Sequence, residues 1–190
     1  GMKLPQSREA AILSFLAGRA RLKLRGMDFR ERAEADIPEE ELLRIDAAWA
    51  VSVGLALVDP IRATDAQCKH LLLALDAGEP YRVARALSVE AGFVALGGSA
   101  NKERFEHLLA RLEPITERVQ NHHTQGLLEA IRAYGAYFNG RFSAARPHFE
   151  EAERIFRERC AGVSWELANV RVLLIGNLSA LGAMREICER

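Results

Sequence analysis

Little in this sequence favours cross-linking, membrane insertion or a surface of one charge sign. Its three cysteines, Cys68, Cys160 and Cys188, are an odd number at wide spacing, which suits reduced thiols and excludes a disulfide framework. There is no CxxC pair or other metal-ligand spacing, so no metal is expected. Basic and acidic residues number 26 each, for a net charge of zero, and the broad basic footprint of a nucleic-acid binder is missing. The longest apolar run, Ala47 to Val58, has 12 residues, short of the roughly 18 that point to a bilayer span. The opening GMKLPQSREA has no apolar leader segment, so the chain reads as cytoplasmic, with Gly1 a remnant of tag removal.

Catalytic motifs are lacking too. The segment Gly97-Gly98-Ser99-Ala100-Asn101-Lys102 has neither the P-loop spacing nor a strand before it. No VAIK, HRD or DFG motif of a kinase, no G-x-S-x-G elbow and no HExxH is found. Asp59, Asp65 and Asp76 are scattered near helix ends without a carboxylate partner at acid–base spacing. His122 and His123 are adjacent, so on a helix they would point about 100° apart; a loop before a helix accounts for them better than ligation. Cys160 lies between arginines, but at a helix C-terminus, where the dipole opposes a thiolate. Ala161-Gly162 then closes that helix, with Ser164 the N-cap and Trp165 the first core residue of the next. These observations argue against an enzyme and imply no cofactor.

What is present is helix. Hydrophobic residues make up 49% of the chain and charged residues 27%, the composition of a globular protein. Apolar residues recur at three and four, and turn residues interrupt them every fifteen to twenty positions or so. About eight helices follow. The first runs from an N-cap at Ser7 to Gly26; the second begins at Pro38 and is stopped by Asp59-Pro60. The third spans Thr64 to Ala77, the fourth Pro80 to Leu96, and the fifth Asn101 to Val119 with a kink or break at Pro114. The sixth, seventh and eighth cover Thr124–Phe138, Ser143–Arg159 and Ser164–Leu181. Val51, Val53 and Leu57 make the second helix apolar on both sides, which predicts a place in the centre of the fold. A basic stretch from Arg19 to Arg32 and an acidic one from Glu34 to Asp46 adjoin and can neutralise each other.

Antiparallel helix pairs at a spacing near forty residues predict an all-α fold, a right-handed α-solenoid of tetratricopeptide-like pairs in a single domain over 1–190. The pair between Thr124 and Arg159 carries the pattern best. Ala133 takes the small position of its first helix, Gly140 the turn, and Phe142, Ala145, Phe149 and Ala152 the packing positions of its second. In that register Tyr134 and Tyr137 line the concave groove and are the candidate partner-binding residues, the other reading being that they cap the core between helices.

The runs LLRIDAAWAVSVGLALVDPIRATDAQCKHLLLALDAGEPYRVARALSVEAG and GRFSAARPHFEEAERIFRERCAGVSWEL, with the helices that link them, resemble the C-terminal helical region of large bacterial serine/threonine protein kinases. There a kinase domain, and often an AAA-type ATPase module, precedes tetratricopeptide-like helices. The resemblance covers the chain from about Arg19 onward and implies a non-catalytic regulatory module, a fragment of a larger chain, that docks a peptide or another domain of its parent. The uncapped end GAMREICER agrees with a fragment. A sensory domain enclosing a small apolar ligand, lined by Trp49, Phe93 and Phe138, is the alternative. Oligomeric state is not legible.

Overall fold

A computed structural model describes residues 5–189; the Gly1 start lies outside them. Among the described residues there are nine α-helices and no strand. The chain forms two compact units, Gly1–Glu90 and Ala91–Arg190.

The first unit holds α1 (Arg8–Arg25), α2 (Glu39–Leu55), α3 (Pro60–Ala77) and most of α4 (Pro80–Ala95). Ser7 caps α1 by accepting from the Ala10 N–H at 3.1 Å. Asp59 and Pro60 start α3 rather than stopping α2. The Asp59 side chain accepts from the Arg62 N–H at 3.1 Å, and Pro60 stands at a first-turn position that needs no N–H donor. Both α1 and α2 pack on α3. Arg62 near the start of α3 donates to the Pro5 and Gln6 carbonyls at 2.9 and 3.1 Å. At the other end Arg25 reaches Asp76 at 2.6 Å and the Leu75 carbonyl at 2.7 Å. Helices α1 and α3 therefore run parallel.

Helix α4 is buried more completely than α2. Residues 83–88 of α4 are all buried, whereas Leu43 on α2 is 58% exposed and Leu57 just beyond it 80%. Ala84 and Ala86 of α4 have no exposed surface, while α2 buries only Leu42, Ile45, Ala48, Ser52 and Val53 along one face. The basic and acidic blocks do not neutralise each other directly in the pairs seen here. Arg19 pairs with Glu90 at 2.5 Å and Arg25 with Asp76, while Glu34 and Asp46 pair with Arg82 at 3.1 and 3.0 Å. Both blocks are balanced through α3 and α4.

The second unit holds the end of α4, then α5 (Lys102–Val119), α6 (His122–Tyr137), α7 (Phe142–Arg159), α8 (Ser164–Ala180) and the short α9 (Met184–Glu189). Helix α5 continues through Pro114 without a break. Successive helices from α5 to α9 pack on their neighbours. Ala133, Ala145, Phe149 and Ala152 have no exposed surface, and Phe156 1%, so α6 and α7 meet through small residues with phenylalanines filling the seam. Their turn is made at Gly140, φ 70°.

Gly78 ends α3 at φ 78°, its N–H on the Ala74 carbonyl at 2.9 Å, and a Cβ there would lie 2.0 Å from the Arg30 carbonyl oxygen. Gly140 has comparable φ but open space around it. Gly78→Ala is therefore expected to cost more than about 2 kcal/mol and Gly140→Ala only about 1 kcal/mol, measured as shifts of the urea midpoint at constant slope.

Candidate functional site

The tyrosines Tyr134 and Tyr137 stand on α6, three residues apart, and their rings turn into the α6–α7–α8 core. Tyr137 packs edge-on against Phe138, Phe142 and Phe149 at centroid distances of 5.2, 5.5 and 6.0 Å. Its hydroxyl lies where a Cβ on Gly176 would come within 2.9 Å, so α8 has a glycine where the ring tip arrives. Tyr134 packs on Phe138 and Phe149 at 6.4 and 6.0 Å. Burial, and then the Glu166 carboxylate, push its hydroxyl pKa up.

Glu166 was not legible as a functional or structural residue. It sits in the first turn of α8 with 4% of its side chain exposed and accepts from, or pairs with, His123 Nε2 at 2.9 Å. His123 lies in the first turn of α6, not in a loop, because Asn121 caps that helix by accepting from the His123 N–H at 2.8 Å. The bridge thus ties the N-terminal ends of α6 and α8, and the Phe156 ring of α7 lies 6.1 Å from the imidazole. Ser164 is the first residue of α8 rather than its cap, and Trp165 is 37% exposed, because Glu166 takes the inward position. Cys160 does close α7; burial first, then Glu166, raise its thiol pKa, which opposes thiolate chemistry. Glu150 is held by Arg146 at 2.9 Å, Glu153 by Arg171 at 2.8 Å, and Arg154 reaches Glu151 at 2.6 Å.

In the first unit, two arrangements carry polar chemistry. Arg85 of α4 is 5% exposed and lies over the rings of Trp49 at 4.6 Å and Tyr81 at 5.4 Å while bonding Asp46. Burial alone would raise the Asp46 pKa, but Arg82 and Arg85 outweigh it and hold the carboxyl below its ordinary value. Trp49 is thereby engaged by an arginine, and Phe138 by tyrosines of the second unit. Beneath this lies His70, fully buried. Gln67 Nε2 donates to the Ala86 carbonyl at 2.8 Å, which leaves Gln67 Oε1 to accept from His70 Nδ1 at 3.0 Å and Ser52 Oγ at 3.4 Å. The Nδ1–H tautomer follows, with Nε2 facing no hydrogen-bond partner.

The other arrangement is an open cleft of about 380 Å³. Its floor is α3, with Lys69, Leu72, Leu73 and Asp76; α1 contributes Arg21 to one wall, and α2 contributes Glu40, Leu43, Arg44 and Ala47 to the other. Apolar Leu43, Ala47 and Leu73 are thus rimmed by charges of both signs. Lys69 is held by Asp65 at 2.6 Å, and Arg21 stands 3.7 Å from Asp76. Among the described residues, no three His, Cys, Asp or Glu are arranged to hold a metal ion, and no helix is long and apolar enough to cross a membrane. Neither a family model, a curated protein nor a solved structure matches this chain.

Burial, and then the positive charge of Arg85, depress the His70 pKa to about 3, below the ordinary value of 6.5. Between those values the unfolded chain binds a proton that the folded chain refuses, so this group's contribution to stability is complete above about pH 6.5 and is lost as pH falls toward 3. His70→Gln should flatten the fall of the urea midpoint between pH 7 and pH 5, whatever its effect at pH 7. Tyr137→Ala should cost about 2–4 kcal/mol and Tyr137→Phe less than about 1 kcal/mol, read from thermal and urea unfolding.

Proposed function

We propose that the chain is a non-catalytic, tetratricopeptide-like solenoid that docks a protein partner, and that the docking surface is the cleft between α1 and α2 over α3. The observation that carries this reading is the exposure of Leu43, at 58%, beside Ala47 and over Leu72 and Leu73, in a cleft whose rim has both charge signs. An apolar floor with a charged rim is the chemistry of a groove that receives one amphipathic helix. The partner segment would set one or two bulky apolar side chains over Leu73 and Ala47. Acidic residues on it would meet Arg44 and Lys69, and a basic one Glu40. The small Ala47 gives the incoming backbone room to approach.

The solenoid arrangement is supported by the α6–α7 pair, where alanines at the contact positions and Gly140 at the turn follow the tetratricopeptide pattern. The proposed setting is a bacterial signalling serine/threonine kinase, whose other domains are candidate partners. What supports it is the resemblance of the segments between Leu42 and Gly92 and between Gly140 and Leu167.

A displayed library of random amphipathic helical peptides, selected on the purified chain, tests the docking surface. Enriched peptides should bind the wild type with a Kd in the micromolar range or below, on the order of −8 kcal/mol. Leu43→Glu and Ala47→Arg should each weaken them at least about tenfold with circular dichroism unchanged. Failure to enrich any helical peptide, or equal binding by both variants, would overturn the assignment of the cleft.

A further inference from the structure

Helix α8 has two faces and only one of them is occupied. Its core face, Glu166, Val170, Leu174, Asn177 and Leu178, packs in the second unit. The opposite face carries Trp165, Ala168, Val172, Ile175 and Ser179, at successive spacings of three, four, three and four. These five residues fall within about 80° of arc on a helix of 3.6 residues per turn. All five are exposed, Val172 at 67%, Ile175 at 45% and Trp165 at 37%. The alternation of three and four is the spacing of a seam that packs against another helix.

Charge sets this face apart from an ordinary solvated one. Of the 17 residues of α8 only Glu166 and Arg171 are charged, and both are bonded within the unit, to His123 and to Glu153. The exposed face of α1, by contrast, interleaves Leu13, Leu16 and Leu24 with Arg8, Glu9, Arg21 and Lys23. A helix whose outward side carries one charge, Arg171 at the edge of the seam and already held by Glu153, in a chain that is 27% charged, is built to be covered. The five seam residues bring no charge against their own copy, and Arg171 beside them is neutralised by Glu153, whereas pairing α8 with α1 would set Arg21 and Lys23 against a surface offering no acid.

We infer that α8 is the seam of a symmetric dimer in which the α8 helices of two copies pack antiparallel about a two-fold axis at Val172. The side-chain sizes are self-complementary in that register. Trp165 of each copy falls opposite Ser179 of the other, the small Ala168 lies beside Ile175, and the two Val172 residues meet on the axis. The large Trp165 and Ile175 therefore face small side chains, and the mid-sized Val172 meets its own copy, which suits close packing of two helices. An isologous pairing of this kind closes after two copies and does not propagate. One helix of about 26 Å buries an area at the low end of specific interfaces, so the dissociation constant is on the order of micromolar.

Sedimentation velocity across a concentration series is the test. The wild-type mass should rise from 21.1 kDa toward twice that value with increasing concentration. Val172→Glu and Val172→Arg each place like charges on the axis and should stay monomeric over the whole series with unchanged circular dichroism. An equal mixture of the two variants should recover the dimer, because the axis then holds one charge of each sign. A wild type that remains at 21.1 kDa throughout, variants that dimerise like the wild type, or a mixture that stays monomeric each overturns the inference.

Discussion

A helix buried on every side cannot keep its charges unless each one meets a partner inside. That constraint governs the first unit, because α4 is buried from Val83 to Ser88 and again at Glu90, and carries Arg82, Arg85 and Glu90 along the same stretch. Each charge reaches a different element. Glu90 meets Arg19 of α1, while Arg82 and Arg85 converge on Asp46 of α2, and the Arg85 guanidinium is covered by Trp49 and Tyr81. Helix α3 joins through Gln67, whose amide donates to the Ala86 carbonyl. Removing one member of such a pair leaves the other charge buried, which costs more than the pair itself contributes. The orientations of α1, α2 and α3 around α4 are thereby interdependent.

The second unit obeys the same rule with fewer charges. Its seam is alanine and phenylalanine, with Tyr134 and Tyr137 packed against the phenylalanines, and its buried carboxylates Glu166 and Glu153 are answered by His123 and Arg171. That bridge joins residues 43 positions apart, and it turns Trp165 outward. The outward turn matters for function. With Glu166 inside, the face of α8 from Trp165 to Ser179 carries no charge.

Surface apolar residues fall into two kinds here. In the cleft over α3 they are rimmed by Arg21, Arg44, Lys69, Glu40 and Asp76, so a partner must satisfy charge as well as shape. On α8 the one bordering charge, Arg171, is already held by Glu153, and shape selects the partner. A charged groove suits a foreign segment of matching sequence; an uncharged, self-complementary seam suits a second copy.

The helices were legible because the chemistry that starts and ends them is local. Ser7, Gly26, Gly78 and Cys160 mark helix ends as their residue types and neighbours indicate, and the all-helical class follows from apolar periodicity. Asp59-Pro60 reads as a stop and His122-His123 as a loop because a cap, here Asp59 or Asn121, can be assigned only when its own helix is known. The sequence alone determined where the chain is helical. Which helix is buried, which carboxylate turns inward, where a cleft opens and which face of α8 is left bare were decided by tertiary structure. The reason is separation along the chain: Arg19 and Glu90 are 71 residues apart, and burial is a property of what such distant residues bring together, which no window of one or two turns contains.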